Sequence, residues 1–217
     1  MNWKTNIQKQ KEPDFIPEVP SWFQPIPKKV HKFAPLLAEF GKYYSKSEFQ
    51  NLNILELGPG IKIQLAQFLL AKFSSLKLNC VGIPRYYRSL SYYKRKNIND
   101  YLLSLPDHSL DAVYSRFVLE EFSYHPLPLV FSSIFWRLFL SNNNLNVKEK
   151  LPGSYEYWVR TYRILGNKLK PGGRIISMLV NRNCGINLAK DNITKLYKIE
   201  TCFAIGPRKG IITLQRK

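Results

Sequence analysis

One stretch constrains the fold more than any other. Asn53-Ile54-Leu55-Glu56-Leu57-Gly58-Pro59-Gly60 is a short apolar run that ends in an acid and a Gly-x-Gly turn. Ile63 to Phe73 follows it with apolar residues at helical spacing. A buried strand, a tight turn and a helix in direct succession form the opening of a βαβ unit. The same alternation continues along the chain. Leu76–Ile83 and Leu110–Tyr114 read as further strands, and Tyr155–Leu169 reads as a helix. Lys170-Pro171-Gly172-Gly173 is a turn before a strand over Arg174–Val180. Lys198–Ile205 and Gly210–Gln215 flank a Gly/Pro turn and read as a terminal hairpin. Strands alternating with helices mean an α/β layered fold with a largely parallel sheet, and the hairpin adds an antiparallel strand.

The remaining segments fill out this frame. Residues 1–35 hold Pro13, Pro17, Pro20, Pro25 and Pro27 among Trp3, Phe15, Trp22 and Phe23. Prolines this dense exclude a long helix or a central strand, and the aromatics point to an arm docked on the domain or on a partner. Helical spacing then starts near Pro35 and runs to Tyr44. We therefore expect an N-terminal arm and helix over 1–50 and one α/β domain over 51–217, with an insertion or lid at about 122–158. Within it, Pro126–Leu140 is apolar all round, as a buried helix is. With Trp136 and Arg137 it also reads as a lid over an apolar acceptor, or as a peripheral membrane contact.

Composition excludes several classes. The chain has 217 residues, 45% of them hydrophobic and 14% aromatic, which rules out disorder as its main state. No apolar stretch reaches the roughly 20 residues needed to span a bilayer. The polar start MNWKTNIQKQKEPDF does not read as a secretory signal. Cys80, Cys184 and Cys202 are too far apart for a zinc pattern and odd in number, so a reducing, cytoplasmic setting is expected. His31, His108 and His125 are isolated, and no metal site is expected. The net charge of +18 is concentrated in residues 51–100 and 151–217. Such a balance favours polyanionic partners; a Lys-, Asn- and Ile-rich composition also produces it without a selected partner. Arg85–Lys96 interleaves four tyrosines with five cations. Arg85, Tyr86, Arg88, Tyr92, Lys94 and Arg95 could neutralise phosphates and stack on unpaired bases. The bland alternative is an amphipathic helix with half-buried tyrosines and solvated cations.

Three motifs in order give a family resemblance. ILELGPG, LPDHSLDAVYSRFVLEEF at 105–122 and LKPGGRII at 169–176 resemble the first motif, the fourth motif and the following turn and strand of class I S-adenosylmethionine-dependent methyltransferases. The resemblance covers about Asn53 to Lys217. It implies a Rossmann-like methyltransferase sandwich, with a mostly parallel seven-stranded sheet and a C-terminal antiparallel hairpin. It also implies S-adenosylmethionine as cofactor and methyl transfer to an acceptor that the residues do not identify. Glu56, Gly58, Pro59 and Gly60 match the motif around the methionine part of the cofactor. Ile83, at the end of the second strand, belongs to the same rim. Asp100 and Tyr101 stand near the family's adenine pocket. Ser115, Arg116 and Phe117 match the strand end that faces cofactor and acceptor.

The chain also departs from the family pattern. Val81-Gly82-Ile83-Pro84-Arg85 lacks the acid that commonly holds the ribose hydroxyls, a loss worth ~1–3 kcal/mol of binding. Lys62 stands where a small residue often closes the glycine motif, and Glu121 stands where many relatives have His. A cation at Arg85 would suit a nicotinamide dinucleotide phosphate, but Gly58–Ile63 lacks the third glycine of that fingerprint. Glu120, Glu121, Tyr124 and His125 lie near the fourth motif, and nothing in their spacing selects one as a base. The rival reading is a catalytically inactive methyltransferase-like module that binds RNA or a protein.

Overall fold

In the computed structural model, residues 18–59, 63–82, 90–116, 155–179, 193–204 and 210–217 are described. The apolar runs become strands of one sheet: β1 (Asn53–Leu57), β2 (Lys77–Gly82), β3 (Tyr93–Arg95), β4 (Leu110–Arg116), β5 (Leu169–Leu179), β6 (Tyr197–Ala204) and β7 (Gly210–Arg216). The order is β3-β2-β1-β4-β5-β7-β6. The pairs from β3 through β5 are parallel, and β7 is antiparallel to both β5 and β6. This is the expected seven-stranded sheet with its terminal hairpin.

Alternation along the strands divides the core in two. Ile54, Leu78, Cys80, Ala112, Tyr114 and Ile176 face one layer. Leu55, Leu57, Val81, Val113, Ile175 and Ile212 face the other. Both faces are apolar because both are covered by helices, as the period-two geometry of a central parallel sheet requires. The first face is covered by α1 (Ala34–Tyr43), α2 (Lys46–Phe49) and α3 (Gln64–Lys72). The second is covered by α4 (Ile98–Leu103) and α5 (Tyr155–Lys168). A short α6 (Ile193–Leu196) leads into β6.

The proline-rich stretch is not a long helix, in keeping with its composition. Within 18–33 it forms two 3-10 turns, Ser21–Phe23 and Lys28–Phe33, whose Phe23, Val30 and Phe33 enter the first core layer. Phe23, Phe49 and Phe73 meet edge to face at 5.2–5.9 Å, an arrangement aromatic rings favour. Pro35 sits in the first turn of α1, where its missing N–H costs nothing. The Pro20 ring packs where a Gly41 Cβ would stand, so a side chain there would displace it.

Two local readings change. Lys170–Gly173 is not a free turn before a strand: β5 already pairs at Leu110–Leu169 and resumes at Ala112–Arg174. The Pro-Gly-Gly stretch loops out of the ladder as a bulge opposite Asp111. Gly172 has φ +76°, and a Cβ on Gly173 would come within 2.9 Å of the Lys170 carbonyl. Tyr93–Arg95, inside the stretch also read as an amphipathic helix, is instead the edge strand β3, paired with Cys80–Gly82. Tyr93 is its buried anchor, and Lys94 and Arg95 are exposed.

Candidate cofactor site

The site is built where strand order reverses. β1 lies between β2 and β4: the chain steps outward from β1 to β2 and β3, then crosses back to β4 on the other side, and in open α/β sheets ligands bind beyond the carboxyl ends of the strands at such a reversal. Register brings three ends level there: Leu57 pairs with Val81 on one side and with Ser115 on the other. The next residues, Gly58, Gly82 and Arg116, form one rim.

Gly58 turns the chain off β1 with φ +58°, a conformation that L side chains resist. Its N–H donates to the Val81 carbonyl at 2.8 Å, which ties the turn to β2. Pro59 follows and is half-buried. Gly60 lies outside the described residues, as do Ile83, Phe117, Arg85, Tyr86 and Arg88 and the acid/base candidates at 120–125.

Two residues before Gly58, on β1, is Glu56, only 4% exposed. Its partners stand directly across the ladder: Glu56 pairs with Cys80 on β2 and with Tyr114 on β4. The Cys80 thiol donates to Glu56 Oε2 at 3.2 Å. The Tyr114 hydroxyl faces the same carboxyl and has no hydrogen-bond partner of good geometry. Burial pushes the Glu56 carboxyl up to about 7, and its two weak donors only partly oppose the shift. Burial and the neighbouring Glu56 raise the Cys80 thiol and the Tyr114 hydroxyl further.

The other site candidates have different surroundings. Ser115 is fully buried and donates to Ser177 Oγ across β4 and β5 at 3.0 Å, so its hydroxyl joins two strands. Arg116 ends β4. Asp100 is exposed on α4, while its neighbour Tyr101 is buried against the second core layer. Burial, then Cys80, raises the Tyr101 hydroxyl. The Asn97 side chain caps α4, and Asn99 accepts from Thr161 Oγ1 at 2.7 Å, which fixes the helix against α5. Cys80, Tyr114 and Ser177 were absent from the sequence-based candidates. Their signal was a titratable or hydroxyl group within an otherwise apolar strand run. Among the described residues, no group of His, Cys, Asp and Glu could hold a metal ion. No described helix is long and apolar enough to cross a membrane.

No known family model matches the chain, and no curated protein matches its sequence. Solved structures do match in shape. An S-adenosylmethionine-dependent methyltransferase from Mesorhizobium loti has a TM-score of 0.50 at 13% identity, over 83% of this chain and 97% of that one. One from Listeria monocytogenes, described as a proposed methyltransferase, has a TM-score of 0.51 at 10% identity, over 82% and 95%. The [4+2]-cyclase SpnF has a TM-score of 0.51 at 13% identity, over 76% and 74%. The fold is thus that of the class I S-adenosylmethionine-dependent methyltransferases. The cyclase shows that this fold also carries another named reaction, so the chemistry has to be argued from the site.

Proposed function

We propose that this chain binds S-adenosylmethionine at the β1 rim and transfers its methyl group to an acceptor. The observation that carries the reading is the Gly58 turn. It has a positive φ, no side chain and a tie to β2, directly above a buried carboxyl that no cation among the described residues pairs with. A glycine turn without a side chain admits close approach of a ligand, and an uncompensated buried acid favours a positive one. Gly58, Pro59 and Gly60 would face the methionine part, with Glu56 beneath it, and Asp100 and Tyr101 would stand beside the adenine. When bound, the cofactor supplies an activated methyl group. The chain's contribution is then positioning and exclusion of water, which alone lowers such a barrier substantially. β2 ends at Gly82 without an acid for the ribose hydroxyls, so we expect weaker cofactor binding than that acid would allow, by ~1–3 kcal/mol.

The test is calorimetry with S-adenosylmethionine and S-adenosylhomocysteine on the wild type and Gly58→Arg. Binding by the wild type that Gly58→Arg abolishes supports the reading. A folded wild type that binds neither at millimolar concentration refutes it.

A second reading has its own observation. Lys94, Arg95 and Lys96 are exposed on and just after the edge strand, next to the rim, in a chain of net charge +18. This favours a nucleic acid as acceptor, or as the partner of a module without catalysis. Phosphate contacts would make retention on RNA fall steeply with salt, whereas a protein partner held by apolar contacts would not. A reducing, cytoplasmic location suits a site that uses a thiol donor.

A further inference from the structure

The row beneath the rim has a property of its own. Cys80, Glu56 and Tyr114 sit side by side on β2, β1 and β4 and project from the same face of the sheet. All three are buried. The Phe40 ring meets the Tyr114 ring edge to face at 5.8 Å. Among the described residues, the groups that face Glu56 are a thiol from β2 and a phenol from β4. Tyr101 of α4 acts on Cys80, not on Glu56. The buried acid of α1, Glu39, is engaged by Thr201 and Thr213. Lys72 of α3 donates to the Gln24 carbonyl. No described cation therefore offsets a charge on Glu56, and ionising it in this setting is costly.

We infer that Cys80, Glu56 and Tyr114 form a proton-storing row, in which Glu56 is a neutral acid in the unliganded fold and a ligand with a fixed positive charge at the Gly58 turn drives its proton into solvent. The step is a simple ionisation. The carboxyl O–H bond breaks, the electron pair stays on oxygen, the proton passes to the buffer, and nothing is oxidised. Cys80 is a positioning residue here, since its thiol orients one carboxyl oxygen and partly stabilises the anion. Burial raises the Glu56 carboxyl, as this geometry requires. The ligand half of the inference rests on the proposed cofactor site, and a sulfonium is the charge it would sense. A sulfonium ligand should then release more protons on binding than its thioether product, which keeps the α-ammonium and lacks the sulfonium charge.

Two measurements on the full chain separate the claims. The Glu56 carboxyl is followed by carbon NMR in the unliganded protein, assigned by its loss in Glu56→Gln. We expect a midpoint near neutrality, shifted upward in Cys80→Ala and returned toward the wild-type value in Cys80→Ser. A midpoint in the ordinary carboxylate range overturns the proton store, as does a midpoint that neither Cys80 variant moves. Calorimetry with S-adenosylmethionine and S-adenosylhomocysteine, in buffers of different ionisation heat, then counts protons. Release of up to about one proton with the sulfonium near pH 6.5, less with the thioether and none in Glu56→Gln, supports the coupling. Binding of both without proton release overturns it. If neither binds while Glu56 titrates near neutrality, the cofactor reading and the coupling fall and the neutral acid stands.

Discussion

Glu39 and Glu56 are both buried acids on the same side of the sheet, at 3% and 4% exposure, yet they do opposite things. Glu39 on α1 accepts from Thr213 Oγ1 at 2.7 Å and Thr201 Oγ1 at 2.8 Å. These threonines are cross-strand partners in the terminal hairpin, so the carboxyl fastens the first helix to the last two strands. Arg174, paired with Glu200 at 2.8 Å and lying over the Tyr43 ring at 4.5 Å, repeats that fastening near the end of α1. Glu56 has one thiol and a phenol outside good geometry, and it lies two residues before the Gly58 turn. The comparison teaches that burial alone does not mark a functional acid. An acid with its hydrogen bonds satisfied is a fastening, and one left short of donors beside a glycine turn is a candidate site.

This contrast can be broken at several strengths. The largest expected effect is at Glu39. Glu39→Ala removes the acceptor of one buried and one half-buried hydroxyl and leaves a void, and we expect a loss of about 3–5 kcal/mol in chemical denaturation. Glu56 should show itself through pH instead. Its folded-state value of about 7 lies above the unfolded reference of 4.5. The stability it contributes is fully present below the unfolded value and is lost as pH rises through the folded one. The wild type should therefore lose about 3 kcal/mol of this contribution across that window, and Glu56→Gln should flatten this part of the profile. A smaller change tests the fastening from the other side. Thr213→Val leaves Glu39 with Thr201 alone and should cost about 1–2 kcal/mol, with no change in cofactor binding measured by calorimetry. The smallest effect is at Ser115→Ala, which removes one hydroxyl contact and should cost about 1 kcal/mol in the same denaturation experiment.

Much of this arrangement was legible in the sequence. The strand–Gly-Pro-Gly–helix signal located β1, its rim and Glu56, and the alternation of elements supplied the sheet and its terminal hairpin. What was hidden depended on pairing at long range. β3 is three residues with a single buried side chain, Tyr93, too short and too polar to show a strand period. Lys170-Pro171-Gly172-Gly173 looks like any turn until its ladder with Leu110 and Ala112 is known. Cys80 and Tyr114 become neighbours of Glu56 only through the register of three strands. Thr201 and Thr213 lie 162 and 174 residues from Glu39, and nothing local connects them.

Occupancy of the β1 rim by the proposed cofactor is read by an amide NMR titration of the full chain with S-adenosylmethionine. Saturable shifts are expected at Gly58, Val81, Gly82 and Ser115, with none at the Thr201–Thr213 fastening. Saturable binding with shifts that spare Gly58 and Gly82, or no shifts at all in a folded sample, would contradict it.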